Sequence, residues 1–110
     1  MSAERLREAA NVLRERAEAA TAGPWLRAGG SRHIFGREVG DEVAQLGRAF
    51  DAAYIATVDP VFGLAAAAWL EKYAALVADS RKTNRPAFGD LPHALAVADA
   101  ILGPTEGGER

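Results

Sequence analysis

Thr21-Ala22-Gly23-Pro24-Trp25, followed later by Asp51-Ala52-Ala53-Tyr54-Ile55-Ala56 running into Asp59-Pro60, cuts this chain into its parts. Upstream of the first phrase, Leu6, Ala9, Ala10, Leu13, Ala17 and Ala20 recur at spacings of three and four. That period predicts a helix with one apolar face, from about Ala3 to Ala20. Ser2 stands where an N-cap belongs, and Glu4 with Arg7 and Arg14 with Glu18 are spaced to support the exposed face. The phrase itself ends the helix. Gly23 suits a left-handed residue just past a helix end, and Pro24 cannot continue the ladder. Trp25 is then placed to fold back on the last turn and be largely buried there.

Between the two phrases the texture changes. Glycines stand at 29, 30, 36, 40 and 47, alanine thins out, and short apolar runs sit between turn signals. Trp25 to Ala28, His33 to Phe35 and Glu42 to Leu46 read as three short antiparallel strands, with Gly29-Gly30-Ser31 as a tight hairpin turn and Gly36 to Asp41 as a second loop. Three such strands are barely stable alone and must lean on helices.

The second phrase opens a helix from about Arg48 to Thr57, with Phe50, Ala53, Tyr54 and Thr57 on one face; Asp51 could cap it if it began later. Asp59-Pro60 reads as N-cap and first helical residue of a third helix, about Pro60 to Ala78. Val61, Phe62, Leu64, Ala65 to Ala68, Trp69 and Leu70 leave its first half without a polar stripe, which predicts the central, most buried element. Asp79 to Gly89 is polar and basic and reads as a loop. Asp90 caps a last helix, about Leu91 to Leu102, with Leu91, Ala94, Leu95, Ala98, Ile101 and Leu102 inward, and Gly103-Pro104 stops it.

At 110 residues and 49% apolar, the chain is one domain's worth of globular protein. A net charge of -2 gives no bulk attraction to nucleic acid or to anionic membrane. The absence of cysteine excludes disulfides, thiolate metal sites and cysteine nucleophiles. Met1 to Ala20 has no signal-peptide pattern, and the uncharged run Val61 to Leu70 is too short to span a bilayer, so the expected compartment is the cytoplasm.

The two phrases in this order resemble the Ead-like family of small lambdoid-phage proteins, with related short reading frames in phages and prophages of actinobacteria. Thr21, Gly23, Pro24 and Trp25, then Asp51, Ala52, Ala53, Tyr54, Ile55, Ala56 and Pro60, carry the resemblance, which covers about Leu6 to Tyr73. Ala22 stands where the usual phrase has its first proline. The resemblance implies a phage or prophage accessory protein with no assigned catalytic activity, acting in the host cell.

Chemistry-bearing residues are sparse. His33 and His93 have no partner at metal-ligand spacing. Ser2, Ser31 and Ser80 fall at a terminus, a turn and a loop, none of them in a nucleophile elbow. Asp41, Glu42, Asp51, Asp59 and Glu71 read as turn, cap and surface residues. Gly29-Gly30-Ser31 lacks the lysine of a phosphate loop. The basic residues are the stronger candidates: Arg27, Arg32 and Arg37 in the strand region, Arg81 and Arg85 in the long loop. On one face, they would hold a small anion stacked on an aromatic such as Trp25 or Phe88.

These readings converge on an α+β fold: an N-terminal helix, a small three-stranded antiparallel sheet, then three helices packed on one face. The expected domain spans residues 1–103, with a flexible tail over 104–110. The expected function is non-enzymatic and needs no cofactor or metal. It is that of a homo-oligomeric protein-interaction module, a dimer in the simplest case, engaging a host protein. The alternative is a binder of a small anionic ligand such as a nucleotide signal. Neither membrane nor nucleic acid is expected as a partner.

Overall fold

A computed structural model describes residues 2–38, 40–82 and 91–103, with 81 and 82 as backbone only. The elements are α1 (Ser2–Ala19), β1 (Leu26–Arg27), β2 (His33–Phe35), β3 (Glu42–Gln45), α2 (Ala49–Thr57), α3 (Pro60–Lys82) and α4 (Leu91–Leu102). This is an α+β chain in the order the sequence leads one to expect. It divides into two compact units, Met1–Arg14 with Ala66–Arg110, and Glu15–Ala65, so α1 and α3 each run through both. The expected tail over 104–110, the Asp90 cap and most of the expected 79–89 loop lie outside the described residues.

The helical unit has a core made largely of alanine. Leu6, Ala9 and Ala10 of α1 meet Ala67, Leu70, Ala74 and Val77 of α3 and Ala94 and Ala98 of α4. Small side chains at these positions let helix backbones approach closely, while Leu6 and Leu70 fill the space between and are fully buried. Polar contacts tie the ends. Arg5 Nε donates to Asp99 Oδ1 at 2.8 Å, and its guanidinium also donates to the Gly103 carbonyl. A cation thus sits at the C-terminal end of α4, where the helix dipole favours it. Arg14 donates to Glu71 Oε1 at 2.8 Å, so its partner lies on α3 and is not the neighbouring Glu18.

The sheet-bearing unit is thinner. Its strands run in the order β1-β2-β3, all antiparallel, with Leu26 opposite Phe35 and Ile34 opposite Ala44. The first hairpin turns through Gly29 and Gly30, whose φ values of +48° and +87° suit glycine, and the Ser31 N–H donates to the Ala28 carbonyl at 2.8 Å. The second loop closes where the Gly36 N–H donates to the Asp41 carbonyl at 2.8 Å. Ile34, on the central strand, is fully buried, and α2 packs on β1 and β2 with Ala52 buried.

Several expectations need correction. The third helix runs on to Lys82 instead of ending near Ala78. Its first half is not the most buried element: Val61, Phe62, Leu64 and Trp69 are exposed, and the buried side of α3 is a stripe that includes Gly63, Ala67, Leu70, Tyr73, Ala74 and Val77. Phe50 and Tyr54, which the sequence reading places on one face of α2 without assigning its burial, are exposed. Asp51 does not cap α2, which starts after Arg48; it lies exposed in the first turn, where a carboxylate suits the dipole. Ser2 is already helical instead of capping. By length and composition alone α3 could cross a membrane over Pro60–Ser80, but its inward stripe is spent on the helical core.

Candidate functional site

Asp59 explains why the two phrases occur together. Its Oδ1 accepts the Phe62 N–H at 3.0 Å and its carbonyl accepts the Gly63 N–H at 2.9 Å, the expected N-cap of α3. Its Oδ2 reaches back to accept the Trp25 N–H at 2.8 Å. The carboxylate is buried and serves both segments at once. Gly23 sits against it. A Cβ there would lie 3.0 Å from both Asp59 Oδ2 and Val61 Cγ2, so any larger residue would press on both side chains. It is not among the left-handed glycines, which corrects the sequence reading. The Gly23-Pro24 peptide bond is cis. On the other side, the Arg37 N–H donates to the Ala22 carbonyl at 3.0 Å and Arg37 Nε to the Gly23 carbonyl at 2.9 Å. Trp25 folds back as expected, its Nε1 donating to the Thr21 carbonyl at 2.8 Å, but it is half-buried instead of largely buried.

The candidate ligand residues separate on this frame. Arg27 is half-buried and Nη1 donates to the Ala49 carbonyl at 2.9 Å, tying β1 to the start of α2. Arg37 holds the Gly-Pro-Trp turn. Both line an open groove of about 470 Å³ with Leu26, Phe35 and Gly36. Arg37 also borders a smaller groove of about 210 Å³ beside Ala20, Val61 and Leu64. Arg32 is exposed at the hairpin tip and lines neither. Trp25 lines neither groove, and the aromatic beside Arg27 and Arg37 is Phe35 instead. Arg81 ends α3 in the other unit with its side chain outside the description, and Arg85 and Phe88 lie outside the described residues.

His33 has a partner the sequence did not signal. Its Nδ1 lies 2.6 Å from Glu42 Oε2 across the sheet, and its ring stacks on Phe35 at 6.4 Å between centroids. Ser31 Oγ accepts the backbone N–H of His33 at 3.1 Å, as in a turn. Among the described residues no three His, Asp or Glu side chains gather for a metal.

Sequence reasoning did not foresee the surface of α2 and the start of α3. Phe50 is 86% exposed and Tyr54 69%, with Val58, Val61, Phe62 and Leu64 open beyond them. The apolar period that announces a buried face is present here, but these side chains are left exposed. Compared with protein-family models, curated proteins and solved structures, the chain matches none.

Proposed function

We propose that this protein acts by binding, as a self-associating protein-interaction module. One observation carries the reading: the run of open apolar side chains from Phe50 to Leu64 in the sheet-bearing unit. Apolar patches of several hundred Å² on a folded chain mark interaction surfaces. The resemblance to Ead-like phage proteins supplies a setting for such a module, an accessory protein engaging a host factor in the host cytoplasm. Light scattering tests the self-association directly. The expected mass is at least twice the 11.6 kDa chain, and a monomer persisting at high micromolar concentration rejects it. Native mass spectrometry of protein purified from cells then reports any retained partner.

A second reading is favoured by the groove that Arg27 and Arg37 share. There the protein holds a small anion, with guanidinium groups making paired contacts to a phosphate or carboxylate. Calorimetric titration with nucleotides and cyclic dinucleotides tests it. Heat that is lost in Arg27→Lys would support it, since lysine keeps the charge and loses the fork. No heat from any of them removes it.

A further inference from the structure

The exposed stripe of α2 has features that specify its occupant. Phe50 and Tyr54 stand one turn apart on α2, and Val58, four residues further on, is its C-cap, so an exposed row runs along the helix and off its end. The opposite side of α2 carries Ala52 against the sheet, where the helix packs on β1 and β2. The row therefore lies on the side of α2 away from the buried Ala52. We propose that it is the face on which a second copy of this chain docks, α2 against α2 in antiparallel fashion about a twofold axis beside Tyr54. This rests on the self-association reading above and names its surface.

Area and charge both argue for a second copy. Phe50 and Tyr54 with Val58, and Val61 and Phe62 just beyond, are 86%, 69%, 38%, 51% and 53% exposed. With aromatic side chains of about 150–250 Å², that leaves about 600 Å² open on one copy. An isologous contact uses the same side chains twice, so one that takes in all five on each copy buries about 1,200 Å², the lower end of specific, stable interfaces. The ends of the row are self-complementary. Arg48 precedes the helix at its N-cap, exposed and without a capping bond, where its own dipole disfavours a cation. The last turn of α2 has no basic residue to meet its negative end. Antiparallel pairing about Tyr54 brings Arg48 of each copy to the C-terminal end of the other's helix, and sets each Phe50 near the other's Val58. Tyr54 meets its own copy through the ring edge, with the hydroxyl left at the rim in water.

The chain has no cysteine, so one introduced thiol reports its own neighbourhood. Tyr54→Cys, mildly oxidised, should give a covalent dimer far faster than Leu76→Cys, an exposed position of the helical unit. Phe50→Glu in the cysteine-free chain should halve the mass seen by light scattering while the helical circular dichroism is unchanged. A dimer that survives Phe50→Glu, with Tyr54→Cys cross-linking no faster than Leu76→Cys, overturns this surface and leaves self-association standing. A parent chain that is monomeric at high micromolar concentration overturns both. A monomer that instead floats with phosphatidylcholine vesicles overturns the second copy as occupant in favour of a lipid surface.

Discussion

The helical unit and the sheet-bearing unit face the same requirement, excluding water from apolar side chains, with different materials. The helical unit has three helices whose inward positions are mostly alanine, so backbones close up and Leu6, Leu70 and Val77 seal the gaps. The sheet-bearing unit has strands of two, three and four residues and one nine-residue helix. Elements that short cannot surround a core, and Ile34 is the large side chain they bury completely. The unit is held instead by polar bonds at Asp59, Arg37 and Arg27. What the contrast teaches is where apolar surface goes when it cannot go inward: the larger side chains of α2 and early α3 are left outside, where a partner can use them.

The largest expected effect lies in the helical unit. Leu70→Ala removes a fully buried side chain from among alanines that cannot collapse far into the space. It should cost about 2–5 kcal/mol. Urea unfolding followed by helical circular dichroism reads this. A cost under about 1 kcal/mol would mean that the helical unit is not the well-packed half.

Next comes the polar junction. Asp59→Ala deletes the acceptor for both the Trp25 and the Phe62 N–H, one a helix cap and the other a buried tie. Hydrogen bonds to a charged acceptor carry more than neutral ones, and the expected loss is about 2 kcal/mol. If the sheet-bearing unit depends on this junction more than on its small core, Ile34→Val should cost less than Asp59→Ala in the same urea titration. The reverse order would place the apolar core in charge of both units and erase the contrast. Gly23→Ala probes the same junction from outside. Its methyl would press on Asp59 Oδ2 and Val61 at 3.0 Å, and crowding of that kind costs about 1 kcal/mol.

How much of this was legible in the sequence follows from where each signal is stored. The helix period of Leu6 to Leu13, the Asp59-Pro60 start and the Gly29-Gly30 turn are local properties of backbone and side chain, and the elements appear where those residues place them. The reach of Asp59 back to Trp25 is not local. A capping aspartate uses one oxygen for its own helix, and nothing in its neighbourhood says what the second oxygen meets. Arg37 was legible as a basic residue near others, but its duty at Gly23 depends on how the loop after β2 comes round. The exposure of Val61 and Phe62 departs from the expected burial for a related reason. Periodicity reports which face is apolar, and only the tertiary structure reports whether that face is covered.

The smallest expected effect separates arginines that hold the fold from arginines free for a ligand. Arg32 is exposed, makes no side-chain hydrogen bond among the described residues and borders neither groove. Arg32→Gln should therefore leave the urea midpoint and any anion-binding heat where they are in the parent. Arg37→Gln loses the Nε bond to the Gly23 carbonyl, a partly exposed contact worth about 0.5 kcal/mol after solvent competition, and should lower the midpoint slightly. The two variants remove the same charge, so the difference between them isolates the bond from the charge. Equal midpoints would show that the Arg37 guanidinium adds nothing to the hold on the Gly-Pro-Trp turn. A fall in anion heat with Arg32→Gln would move the binding surface from the groove to the hairpin tip, where Arg32 and His33 stand beside the two glycines of the turn.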